Sequence, residues 1–245
     1  MSNYYRSILN VQGSSFSNTK SILLDGVDDY VQVADADNLS FGDGTTDSPF
    51  SISAWIKIGQ TTTQGIVSKY GTNNVKREYL FQITASKIKL TLISLGGATN
   101  FATGNTALSL NTWHHVAVTY DGSGGSTAYN GITLYVNGVA ETPTTGGGSY
   151  TAMTNTVTDV ELGRYATREL NGAMDEVAIF SSELSASDIT SIYNGGEPND
   201  ISSLSPLSWW RCGDGDTAPT LTDNGSGGNN GTMTNFSTFS TDVPT

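Results

Sequence analysis

The chain has 245 residues, room for one large β-sandwich or a sandwich with a modest appendage. Only 14 % of residues are charged and 28 are glycine, a mix suited to many short strands joined by turns and unsuited to a helical bundle. The formal net charge of −12 excludes partners that need clustered Lys and Arg, namely nucleic acid and anionic membrane surfaces.

The charge is unevenly placed. Residues 1–89 carry eight basic and eight acidic side chains, whereas residues 90–245 carry only Arg164, Arg168 and Arg211 against fifteen carboxylates. Neutral sugars, calcium or another protein remain as partners. The single Cys212 rules out an internal disulfide framework and a thiolate zinc site. No apolar run is long enough to span a bilayer, so no membrane insertion is expected. The stretch Met1–Arg6 lacks the basic and apolar segments of a secretory signal. The expectation is a trimmed chain, or one made and assembled in a cytoplasm.

In chain order, period-two patterns predict strands with one buried face. Ile52, Ala54, Ile56 and Ile58 alternate with Ser51, Ser53, Trp55 and Lys57. Ile88, Leu90 and Leu92 form the second such segment, and Val116, Val118 and Tyr120 the third. Ile132, Leu134 and Val136 form the fourth, and Asn137-Gly138 after it is the preferred pair for a tight hairpin. Further on, Ser185 and Asp188 predict a capped short helix over residues 186–193, with Ile189, Ile192 and Tyr193 as its apolar stripe and Gly195 as its stop. From about residue 197 the chain turns Gly-, Asn-, Ser- and Thr-rich, yet it contains Trp209-Trp210. Two adjacent tryptophans in a free linker would expose a large apolar patch, so this tail is expected to dock.

Four stretches, in order, carry a resemblance. They are Leu24-Asp25-Gly26-Val27-Asp28-Asp29-Tyr30-Val31; Phe50 to Lys57; Trp113 to Gly122 with Leu134 to Gly138; and Leu170 to Phe180. Together, over roughly residues 20–195, they resemble the laminin-G-like, pentraxin-related members of the concanavalin-A-like jelly rolls. The resemblance implies an all-β fold, a two-sheet antiparallel jelly-roll sandwich with one short helix near the C-terminal end of the domain. It divides the chain into a sandwich over 1–196 and a tail over 197–245, which docks as an edge strand in cis or in trans. It implies a sugar-binding or adhesive module, often with calcium. The order of the tail is unusual, because a stretch like Trp210 to Thr232 commonly precedes the Asp-Gly-x-Asp-Asp-Tyr-Val segment in the family. Similar tails resemble virion proteins of marine tailed phages. This implies a capsid-decoration or tail module in a virion, whose partners are other virion proteins or copies of itself, and cell-surface glycans. The alternative is a calcium-dependent glycan-binding module of a secreted, extracellular adhesin or enzyme. If the tail pairs in trans, deleting residues 201–245 should abolish assembly and leave the sandwich folded.

Catalysis is not expected. A retaining glycosidase needs two carboxyls about 5 Å apart, and the glucanase pattern Glu-x-Asp-x-x-Glu is missing. Asp159 and Glu161 are the one i, i+2 acid pair within a plausible strand, and they read as a solvated face. His114 and His115 would point to opposite sheet faces, so they cannot share one site. Calcium favours six to eight oxygen ligands. Asp25 and Asp175 are its candidate ligands if the first and last strands are neighbours, with the competing reading that both cap turns. Asp28 and Asp29 would add ligands, although strand alternation lets only one point the right way. Tyr70, Tyr150 and Tyr165, in loops beside Gly, Asn or Arg, are the candidates for stacking on a sugar, weighed against packing of loop on sheet.

Overall fold

A computed structural model describes residues 16–245. The Met1–Arg6 stretch lies outside the described residues. Among the described residues the fold is the expected all-β sandwich of two large antiparallel sheets, of eight and nine strands, with a two-stranded hairpin of Arg164–Tyr165 and Arg168–Glu169 and one short α-helix. The eight-stranded sheet runs in the order Val139–Ala140, Ile132–Val136, Trp113–Tyr120, Phe50–Ile58, Asn171–Phe180, Ser21–Asp25, Phe239–Ser240. Its eighth strand, Ser208–Trp210, also pairs with Asn171–Phe180. The nine-stranded sheet runs Thr144–Gly147, Thr99–Thr103, Lys87–Ile93, Arg77–Thr84, Gln64–Tyr70, Val160–Leu162, Tyr30–Val33, Gly231–Thr234, Thr220–Leu221.

Period two fills the space between the sheets. Ile52, Ala54, Ile56 and Ile58 face Val31, Val33, Phe81, Leu90 and their neighbours in one continuous core. Asn137 (φ 51°) and Gly138 (φ 76°) make the hairpin that their sequence predicts. The outward positions depart from simple alternation. Ser51, Ser53, Trp55 and His115 are also buried, because the helix Ala186–Tyr193 lies on this outer face. Its capping box closes as expected at Ser185 and Asp188, and Asn194 (φ 46°) followed by Gly195 (φ 71°) ends it. Ile189 and Ile192 then pack with Ala117, Tyr135, Ala178, Phe180 and Trp209 in a second cluster.

The tail is built into the chain's own sandwich, in cis. Successive residues of its first strand serve different layers: Trp210 is fully buried between the sheets and Trp209 packs beneath the helix region. Gly231–Thr234 pairs with Tyr30–Val33, so the displaced family stretch occupies an edge of this chain's own sheet. Asp223 organises the connecting loop, accepting from the backbone N–H of Trp209 (2.8 Å), Gly225 (2.8 Å) and Asn229 (2.7 Å). Hydrogen bonds to a charged acceptor contribute about 1.5–3 kcal/mol each, and their losses overlap. Asp223→Ala is therefore expected to lower stability by ~3 kcal/mol, read from the shift of a urea unfolding midpoint. The tail supplies Trp210, Cys212, Leu221 and Met233 to the core, so a chain lacking 201–245 is now expected to lose the folded sandwich.

Candidate ligand-binding site

The outer face of the eight-stranded sheet is only partly covered by the helix. Beyond that cover, outward residues of four strands line up in register: Leu23 opposite Ala173, Ala173 opposite Lys57, and Lys57 opposite Trp113. Leu23 is 59 % exposed although it sits on a strand. A groove of about 380 Å³ opens over this row, with Leu23, Gly172 and Ala173 offering apolar surface and Asp25, Asp29 and Asn171 among its polar groups. Asp242, from the end of the tail, closes another side. It takes Lys57 Nζ at 2.5 Å and the Trp113 indole N–H at 3.1 Å. Its pKa is lowered, chiefly by the hydrogen bond from Lys57. A Cβ at Gly172 would fall 2.0 Å from the Lys57 carbonyl oxygen, so this contact between strands requires glycine.

Asp25 and Asp29 line the groove, and Asp28 stands beside them. Residues 26–29 form a turn in which Gly26 adopts φ 74°, so strand alternation does not apply there. The Val27 and Asp28 amides donate to Asp25 Oδ1 at 2.8 and 3.3 Å, and the Asp25 amide donates to Asp29 Oδ2 at 3.1 Å. The turn brings oxygens of Asp25, Asp28 and Asp29 within 4.8 Å of one another. The amide of Val27 leads in holding the Asp25 carboxyl below its usual range. Burial pushes the Asp29 carboxyl up, opposed by the Asp25 amide, and the charges of Asp25 and Asp28 add to the rise. The set leaves oxygens free beside a concentrated negative charge, which fits a hard divalent cation whose remaining ligands come from water or hydroxyls.

The pairing of Asp25 with Asp175 is corrected. Their strands are neighbours as expected, but the register sets Asp25 opposite Asn171, four residues from Asp175. At about 3.3 Å per residue the two lie ~13 Å apart along the strand, too far for one ion. Asp175 is fully buried, accepting from Asn18 Nδ2 and the Glu176 amide, both at 2.9 Å. Next to it Glu176 occupies a bulge at φ 47° and takes the Trp209 indole N–H at 2.5 Å and Arg211 Nε at 3.2 Å.

Of the three tyrosines, two come together. Tyr70 and Tyr165 meet edge to face at 5.4 Å, both partly exposed, with the Arg77 guanidinium 4.2 Å over the Tyr70 ring. Tyr150 is corrected to a packing role. It is 2 % exposed, and its hydroxyl donates to Asp47 Oδ2 at 2.5 Å, beside that of Tyr120 at 2.7 Å. His115 packs at a tilt against both Trp55 and Tyr193, bonds Ser53 Oγ at 2.8 Å, and is pushed down to about 3 by burial. His114 accepts from the Ser109 amide at 3.2 Å. Asp159 accepts from Gln32 at 2.5 Å and from the Asp35 amide at 2.9 Å, while Glu161 pairs with Arg164 through two bonds. Both acids are thus tied to neighbours.

Sequence reasoning missed Lys57, Asn171 and Asp242 as parts of the site. Asn171 sits inside one of the four quoted stretches, but nothing local marks Asp242, which arrives from the far end of the chain.

Residues 25–190 match the model of the laminin-G-like family described as the concanavalin A-like lectin/glucanases superfamily. None of the curated proteins compared matches the sequence. The fold is similar to that of a putative carbohydrate binding protein from Bacteroides ovatus (19 % identity, TM-score 0.60). The match covers 91 % of this chain and 62 % of that one, so this chain spans less than two thirds of that protein's length. It is also similar to the binding domain of Paraclostridial Mosquitocidal Protein 1, at 15 % identity and TM-score 0.51, covering 66 % of this chain and 40 % of that one. The chain belongs to the laminin-G-like family of the concanavalin A-like lectin/glucanases superfamily.

Proposed function

We propose that the chain is a non-catalytic glycan-binding module that holds its ligand in the groove over Leu23 and Ala173, with a calcium ion on Asp25, Asp28 and Asp29. The observation that carries this reading is a cluster of three carboxylates, two of which line a groove with an apolar floor and polar walls. Such a lining suits a sugar ring, whose C–H face is apolar and whose hydroxyls need hydrogen-bonding partners and ion ligands. The structurally similar Bacteroides protein, described as a putative carbohydrate binding protein, agrees with this reading. Non-catalysis is supported by the ties on Asp159 and Glu161.

A glycan array read with calcium and with chelator tests the proposal. Binding should fall on chelation, and Asp28→Asn, at an exposed position, should weaken it at least about tenfold, equivalent to ~1.4 kcal/mol. Binding that survives both treatments and is lost in Tyr70→Ala would move the ligand to the other sheet. Silence on the array under every condition would sink the glycan reading. The virion role rests on the likeness of the tail alone, since the tail strands that would have been donated to a neighbour are paired at home.

A further inference from the structure

At the opposite sheet, a lysine is buried among carboxyls. Lys69 lies on the strand Gln64–Tyr70, and its side chain is fully inaccessible. Its Nζ stands 2.5 Å from Asp35 Oδ1 and 3.6 Å from Glu78 Oε1. Glu78 is also fully buried, whereas the Asp35 side chain is 25 % exposed. Glu78 Oε1 accepts from the Thr156 amide and hydroxyl, each at 2.8 Å, and from Ser40 Oγ at 3.1 Å. Its other oxygen, Oε2, is buried without a hydrogen-bond partner.

Burying charges costs several kcal/mol per ion even when they are paired. Here one ammonium and two carboxyls share a site open to solvent only at Asp35, and one carboxyl oxygen of Glu78 has no partner. Condensing the amine with one carboxyl would remove two charges at once and leave a neutral amide. The topology gives that bond a place. Val160 pairs with Val33 on one side, and Glu161 pairs with Ser68 on the other. Lys69, one residue beyond Ser68, and Asp35, two residues beyond Val33, therefore lie on the two flanks of the short strand Val160–Leu162 near its first residue.

We propose that Lys69 and Asp35 form an intramolecular isopeptide bond, with Glu78 as the proton carrier. Within the ion pair, one proton moves from Nζ to the Asp35 carboxylate, giving a neutral amine and a carboxylic acid. Nζ then attacks Asp35 Cγ, and its second proton passes to the Glu78 carboxylate, whose Oε2 has no other partner. Glu78 returns that proton to the departing hydroxyl, the Cγ–O bond breaks, and one water leaves through the exposed side of Asp35. The new Nζ–Cγ bond keeps one N–H, so atoms and protons balance without an oxidant or co-reactant. Burial raises the Glu78 carboxyl, against the opposing effect of Lys69. A carboxyl with a higher pKa is the better proton carrier near neutral pH.

Intact mass spectrometry of the full folded chain tests this. The expected mass is that of the sequence less one water, with proteolysis releasing a branched fragment that joins the peptides of residues 35 and 69. Glu78→Gln keeps both reacting side chains and should show the unreduced mass, as should Asp35→Ala. The wild-type chain decides the matter whether or not the variants fold. An unreduced mass after prolonged incubation would overturn the proposal and leave an ordinary ion pair. So would a lost water that maps to an Asp-Gly step such as Asp25-Gly26.

Discussion

A chain ending at residue 200 is expected to lose its cooperative thermal transition and its near-ultraviolet circular dichroism. The removed segment carries Trp210, Cys212, Leu221 and Met233, all buried in the core between the sheets. Large-to-small changes at such positions cost about 3–5 kcal/mol for a tryptophan and ~2–5 kcal/mol for a leucine or methionine. The combined loss matches or exceeds the whole stability of a typical domain, about 5–15 kcal/mol. Deletion also leaves the strand Tyr30–Val33 without its Gly231–Thr234 neighbour, creating an unpaired edge that invites aggregation. The single change Trp210→Ala should reproduce part of the effect, lowering stability by about 3–5 kcal/mol in urea melts. A truncated chain that still melts cooperatively near the full-length temperature would show that the tail only decorates the sandwich.

Stability should fall, not rise, as the pH increases from about 4.5 to about 7. Burial leads in lifting the Glu176 carboxyl from 4.5 to about 7, against the opposing pull of Arg211 and the Trp209 hydrogen bond. Between those values the folded chain holds a proton that the unfolded chain has released, so each step up in pH favours unfolding. A shift of this size corresponds to about 3 kcal/mol at about 1.4 kcal/mol per unit. Asp175 beside it is raised by burial and by the Glu176 charge, and acts in the same sense. At the acid end, carboxyls held below their usual range, such as Asp25 and Asp242, contribute stability that disappears as they take up protons. The melting temperature should therefore peak on the acid side of neutrality. Glu176→Gln, which retains an acceptor for the Trp209 indole, should flatten the fall and melt higher than the parent at pH 8. A melting temperature that climbs steadily from pH 5 to pH 8 would contradict this account.

The strands and the helix were legible because their signals are local. Alternation at Ile52–Ile58, the Asn137-Gly138 pair and the Ser185–Asp188 box each act within a few residues. The docking of Trp209-Trp210 could also be expected, since exposing both rings is unfavourable. What sequence could not supply was register. The adjacency of the first and last strands of the sandwich was foreseen, yet Asp25 meets Asn171, and Asp175 disappears beneath other residues. Strand alternation lets only one of Asp28 and Asp29 point toward Asp25, but the positive φ of Gly26 makes a turn that gathers all three. Tyr70, Tyr150 and Tyr165 look alike in sequence, and only long-range partners separate the buried Tyr150, held by Asp47, from the pair that meets near the surface.

The first described strand pairs with the last, Ser21 opposite Ser240 and Ile22 opposite Phe239. The described sandwich thus opens and closes on neighbouring strands. A host protein could carry this unit as a cargo spliced into one of its surface loops, with little separation imposed on the loop's two stems.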